Sequence, residues 1–200
     1  MAVEISRRER KKDETRSRIF RGAIELFRAQ GFERTTVDEI TERADVAKGT
    51  FFNYFPRKDA VLAYLSEARL FDIEENAVRM FEEARPAREK LFDLYAAAAS
   101  AYEEDHELSR YVVLELMGRA FAPTEDIAQR WHEIVVRLVR QAQESGELRR
   151  DVDPVRLEAF LTGIYYATLY TWVCCPVQDA FALQGELRAR LTLAMEGVAS

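Results

Sequence analysis

Two hundred residues that are 48% hydrophobic and 32% charged, with eight Gly and five Pro, suit one large domain or a small one fused to a medium one. No apolar run approaches the roughly 20 residues that cross a bilayer, and the charged start (Met1 to Arg10) does not read as a secretory signal. The net charge of −6 is uneven, with fourteen Lys and Arg against ten Asp and Glu (+4) in residues 1–58 and −10 in residues 59–200.

The first dozen residues, with Arg7, Arg8, Arg10, Lys11 and Lys12, are polar and aperiodic and read as a disordered basic arm, 1–12. A helix is expected from about Asp13 to Gln30, where Ile19, Ala23, Leu26 and Phe27 recur at helical spacing and Gly31 stands at the C-terminal cap. Thr36 suits an N-cap, and Glu39 three residues later completes a capping box. The short helix it opens turns Val37, Ile40 and Ala44 inward. After Asp45-Val46-Ala47 a second short helix spans about Lys48 to Tyr54, and Pro56 ends it.

From Lys58 a long helix runs toward Arg85, with Val61, Leu62, Leu65, Leu70, Ile73, Val78 and Phe81 at helical spacing before Pro86. Three more helices are expected at about 87–104, 107–122 and 125–144. Asp153-Pro154 opens the next, with proline in the first turn where it is tolerated. This helix, to about Cys175, is apolar almost all round and must be covered by more than one neighbour. Pro176 stops it, and a last amphipathic helix over about 178–197 carries Leu183, Leu187, Leu191, Ala194 and Met195 as a stripe. No strand pattern competes, so the fold class is all-α.

Two short helices joined by a tight turn, behind a longer supporting helix, have the helix-turn-helix layout. The second helix of such a unit enters the major groove while the first crosses the backbone. Here it begins Lys48-Gly49-Thr50: a charge, and a glycine that lets backbone approach a phosphate closely. Phe51 and Phe55 supply the buried side, which leaves Phe52, Asn53 and Tyr54 facing outward or sideways. The basic head on an acidic body agrees with a DNA-reading module.

The run from Ile19 to Phe27, then Gly31-Phe32, Thr35-Thr36-Val37, Ile40, Ala44, Val46, Lys48-Gly49-Thr50, Tyr54-Phe55 and Lys58, resembles the N-terminal domain of TetR-family regulators over about 45 residues without a gap. Gly146-Glu147-Leu148-Arg149 with Asp153-Pro154 is a weaker likeness to the C-terminal domain. The resemblance implies a transcriptional regulator, most simply a repressor of double-stranded operator DNA, with a helix-turn-helix domain at 13–57 and an effector-binding and dimerisation domain at 58–200. It puts Lys48, Thr50 and Asn53 in the major groove, with Gly49 beside them, and Thr36, Tyr54 and Lys58 on phosphates. Phe52 departs from the tyrosine usual at its position. It cannot donate that hydroxyl, so it contacts a thymine methyl or packs inward. Homodimerisation through the last two helices is implied, and with it an inverted-repeat operator.

The resemblance further implies a pocket for a small-molecule effector in the body. Tyr95, Tyr102, Met117, Phe121, Trp131, Tyr166 and Tyr170 are the aromatic or soft side chains of the middle helices and are the candidate lining, although each alone could simply fill the core. Such a lining favours a hydrophobic or aromatic effector, and no interior cluster of positive charge marks an anionic one. The adjacent cysteines Cys174 and Cys175 fit a reduced, cytoplasmic setting and read as buried structural residues. His106 and His132 read as solvated and lack metal-ligand spacing. No cofactor, metal or membrane partner is expected. An enzyme reading lacks a glycine-rich phosphate loop, HExxH and GxSxG; a purely structural helical adaptor would not need the exposed Lys48–Tyr54 arrangement.

Overall fold

The computed structural model describes residues 7–120, 125–176 and 182–197, and every described regular element is a helix: α1 (Arg7–Gln30), α2 (Val37–Arg43), α3 (Lys48–Tyr54), α4 (Ala60–Glu82), α5 (Ala87–Glu103), α6 (His106–Ala120), α7 (Glu125–Glu144), α8 (Pro154–Cys174) and α9 (Leu183–Gly197). The chain divides into two compact units, residues 1–64 and 65–200. None of the described helices is long and apolar enough to cross a membrane.

In the first unit α1 packs on α2 and α2 on α3. Ile19, Ala23 and Phe27 of α1 are buried with Ile40, Ala44, Phe51 and Phe55, the apolar positions that the 3.6-residue period selects. Burying a side chain the size of Phe51 or Phe55 is worth about 1.5–3 kcal/mol, a large share of what so small a unit can spare. Helix α1 starts at Arg7, six residues ahead of the expected start. The basic residues 7–12 extend a helix whose first turns are exposed from Arg10 to Glu14, so apolar periodicity could not reveal it.

The connections follow their turn chemistry. Gly31 takes φ +86° past the end of α1 and its amide bonds the Phe27 carbonyl. Between α2 and α3 the left-handed position is filled by Asp45 at φ 49°. The Asp45 amide bonds Glu42 O and the Val46 amide bonds Thr41 O, a Schellman ending that turns the chain sharply into α3. Gly22 serves a different need, because a Cβ there would lie 3.2 Å from Arg43 Cγ. Its absence lets α2 cross α1 closely.

In the second unit α5 packs on α7 and α9, α7 on α8, and α8 on both α6 and α9. Helix α8 buries Leu157, Leu161, Tyr165, Leu169, Trp172 and Val173, as its all-round apolarity requires. Gly146 (φ +80°) ends α7 and aims Glu147 back at the start of α5, where Oε1 accepts from Ala87 N at 3.0 Å and Oε2 from Arg88 N at 2.8 Å. Pro86 offers α5 no capping side chain, and a carboxylate sixty residues away does that work. Burial of Glu147 works against its charge. The bonds from the Ser145 hydroxyl and the two amides, with the charge of Lys90, outweigh it and hold the pKa below the usual 4.5.

Candidate nucleic-acid interface and effector cavity

Helix α2 opens on the expected capping box: Thr36 Oγ1 accepts from the Glu39 amide at 3.2 Å, and Glu39 Oε2 accepts from the Thr36 amide at 2.7 Å. The Thr36 amide bond, first among its partners, holds Glu39 below its usual pKa. In α3 the division of faces is clean. Phe51 and the following Phe55 are buried, while Lys48, Gly49, Phe52 and Asn53 are exposed and Thr50 and Tyr54 half-buried. Phe52 is 46% exposed, its ring edge-on to Phe51 at 5.4 Å, so it does not pack inward. A Cβ at Gly49 would meet nothing within 4 Å; the fold of the chain itself does not require glycine there. Lys48 Nζ pairs with Asp38 at 2.7 Å across two exposed side chains. Such a pair is worth about 0–1 kcal/mol, weak enough for a phosphate to compete.

Lys58 is placed differently from the other seven. Its Nζ donates to Phe32 O at 2.6 Å, Thr35 O at 2.9 Å and Glu33 O at 3.4 Å, and stands 4.2 Å from the Phe32 ring centroid. Three carbonyls of the α1–α2 connection therefore surround this ammonium. In that state it ties the loop before Thr36 to the chain entering α4.

In the second unit a cavity of about 50 Å³ lies among α4, α5, α7 and α8, lined by Ser66, Arg69, Leu70, Ile73, Ala98, Tyr102, Trp131, Tyr165 and Tyr166. Tyr102, Trp131 and Tyr166 come from the expected lining; the others were not foreseen. Tyr95 sits behind the wall, with its hydroxyl 3.0 Å from Thr162 Oγ1 and its ring 5.4 Å from Trp131. Trp131 donates its indole N–H to Thr162 Oγ1 at 3.2 Å, so that donor holds the wall rather than a guest. Tyr170 is 49% exposed, because the period of α8 turns it to the face opposite Tyr165 and Leu169. Met117 is half-buried on α6 and does not line the cavity. Phe121 lies outside the described residues.

Burial raises the pKa of all three lining tyrosines, Tyr102 and Tyr165 above the usual 10 and Tyr166 to about 12. They stay protonated at neutral pH and can donate hydrogen bonds. Trp131 and Tyr165 stack at 5.6 Å with 25° between their planes, and the Arg69 guanidinium lies 4.8 Å from the Tyr102 ring centroid. The wall is flat and aromatic, and among the described residues one cation, Arg69, lines it.

Residues 19–65 match the family model for bacterial regulatory proteins of the tetR family. The HTH-type transcriptional regulator TcmR of Streptomyces glaucescens is 32% identical over 191 residues, covering 88% of this chain and 80% of that protein. This chain belongs to the TetR family. Among solved structures, the Thermus thermophilus FadR, a TetR-family transcriptional repressor in complex with lauroyl-CoA, is 30% identical with a TM-score of 0.72, covering 92% of this chain and 95% of that one. The fatty acid metabolism regulator protein of Bacillus subtilis is 25% identical over 158 residues, covering 78% and 81%. The TetR-family chain is thus a DNA-binding transcriptional regulator and not an enzyme. Its family match ends at the first turns of α4, so the cavity lies beyond it.

Two features of this TetR-family body depart from the sequence reading. His132 and His106 are not simply solvated. His132 Nδ1 donates to Glu158 Oε2 at 2.8 Å, and Glu158 is buried; His106 Nε2 lies 3.1 Å from Trp172 O with its ring 4.4 Å from the indole. These partners are 26 and 66 residues away, a separation no local pattern reports. The cysteines are also less buried than expected, Cys174 being exposed and Cys175 half-buried at the end of α8. Arg69 and Ser66 were detectable: they fall four residues after Leu65 and Leu62, on the stripe that otherwise carries only apolar side chains.

Proposed function

We propose that this TetR-family regulator is a repressor that reads an inverted-repeat operator as a homodimer and is released by a compact hydrophobic or aromatic effector. The observation that carries the reading is α4 itself. One unbroken helix, Ala60–Glu82, buries Val61 and Leu62 at its start and supplies Ser66, Arg69, Leu70 and Ile73 to the cavity about one to three turns later. A guest that displaces α4 moves the helix entering the helix-turn-helix, changes the spacing of two recognition helices and misaligns them with half-sites about 34–36 Å apart. Coupling of 1–3 kcal/mol would weaken operator binding about 5–150-fold.

Asn53, Thr50, Lys48 and the exposed ring of Phe52 are the base-reading group in this account, with Gly49 leaving room for DNA backbone and Thr36 and Tyr54 on phosphates. Residues 7–12 add unspecific phosphate affinity from the start of α1. The dimer face is the exposed stripe of α8, with Phe160, Gly163, Ala167 and Tyr170, beside Gly185, Ala189 and Leu193 of α9, the last 73% exposed. Apolar and small residues at one face of two adjacent helices support close helix-to-helix packing across a two-fold axis. The Thermus relative holds lauroyl-CoA, but about 50 Å³ is room for roughly four waters and favours a smaller guest. The setting is taken as the cytoplasm, where operator DNA is found.

Selection of bound sequences from random duplex DNA at physiological salt tests the reading. One inverted repeat should be enriched, and Asn53→Ala should relax preference at a single base position in each half-site, costing about 1–3 kcal/mol there. Enrichment of nothing by a folded, helical protein would reject it.

A further inference from the structure

Among its described lining residues the cavity carries one charged side chain, Arg69. Its described lining holds no Asp or Glu. The nearby carboxylate of Glu158 is taken by His132, and Arg130 of α7 is paired with Glu74 at 3.2 Å. Arg69 has no carboxylate partner among the described residues. Its Nη1 is buried and finds no hydrogen-bond acceptor there, while the same guanidinium faces the Tyr102 ring. A buried guanidinium N–H without an acceptor costs free energy, and a chain gains from keeping it only if something supplies the acceptor.

We propose that the effector is a small aromatic carboxylate, its anion seated on Arg69 Nη1 and its ring against the stacked pair Trp131 and Tyr165. This rests on the cavity being the effector site and names the chemistry of its guest. Arg favours planar oxyanions because its N–H groups form a fixed fork. The Tyr102 hydroxyl already accepts from Tyr165 and from the Arg69 guanidinium; its own proton and that of Tyr166, both retained because burial raises these groups, are further donors toward the same charge. The walls beyond them, Leu70, Ile73 and Ala98, are apolar and suit the rest of a ring. Because Arg69 stands on α4, the anion pulls on the very helix that enters the DNA-reading unit.

Calorimetric titration of the whole protein with matched pairs, benzoate with benzamide and cinnamate with cinnamamide, tests this directly. For the wild type the acid of at least one pair should bind tenfold or more tightly than its amide. Arg69→Met should erase that difference while leaving amide binding in place, and Arg69→Lys should keep only part of it, since an ammonium lacks the fork. Without ligand, Arg69→Met should melt no lower than the wild type, because it removes a buried N–H that has no acceptor among the described residues. Equal affinity for acid and amide would overturn the anion seat and leave the aromatic cavity standing. If neither member of any pair bound, and lauroyl-CoA bound equally well to wild type and Arg69→Met, the proposal would fall together with the compact-effector reading.

Discussion

At the scale of single residues, the first unit separates side chains that hold the reading head from those that read. Lys58 belongs to the first group on its geometry. With three carbonyls around its ammonium, Lys58→Met should cost about 1–3 kcal/mol of stability, a fall of about 2–4 °C per kcal/mol in a chain of this size. It should weaken DNA binding evenly across sequences while leaving the salt slope unchanged. A phosphate contact would instead lower the slope by about one. Melting and binding measured over a salt series separate the two. Phe51 and Phe52, neighbours of one residue type, show how much of this was readable in the chain. The helical period alone distinguished the buried ring from the exposed one. Three carbonyls converging on Lys58 were not readable, because a resemblance transfers a residue's family role and not its partners.

At the scale of elements, the sequence reported helices well wherever one face was apolar and poorly wherever ends were set from afar. The interior of α1 followed from Ile19, Ala23 and Phe27, while its exposed first turns did not, since no core-facing residue marks them. Helix α5 was placed between Pro86 and Glu104, yet what caps it is Glu147. That carboxylate, held below its usual pKa of 4.5, stabilises the unit fully above about pH 4.5, and the contribution is lost as pH falls through the lower folded value. Glu147→Gln should therefore lower the melting temperature at pH 7, by about 1–2 kcal/mol in stability for a charged cap. Near pH 3 the difference from wild type should shrink. The paired aromatic wall was half readable: Tyr102, Trp131 and Tyr166 stood out by type, whereas Arg69 could be found only from its place on the α4 stripe, against the ordinary expectation that a charge on a helix faces water.

At the scale of the whole molecule, the two-fold assembly and the coupling of cavity to DNA stand or fall separately. Gly163 lies on the exposed stripe of α8, and a Cβ there would meet nothing within 4 Å. Gly163→Arg should accordingly leave the protomer folded but drive the dimer to monomer, read by light scattering after size exclusion, and operator affinity should fall with it. Coupling rests on α4 being shared by the reading head and the cavity.

The most direct test needs no effector. Ala98 is buried on α5 and lines the cavity together with the α4 residues Leu70 and Ile73, so Ala98→Leu should take up the space and press on α4 as a guest would. Binding of the selected operator duplex should weaken about 5–150-fold, with helicity and dimerisation retained. An Ala98→Leu protein that stays folded and dimeric and binds the operator as tightly as the wild type would contradict the account.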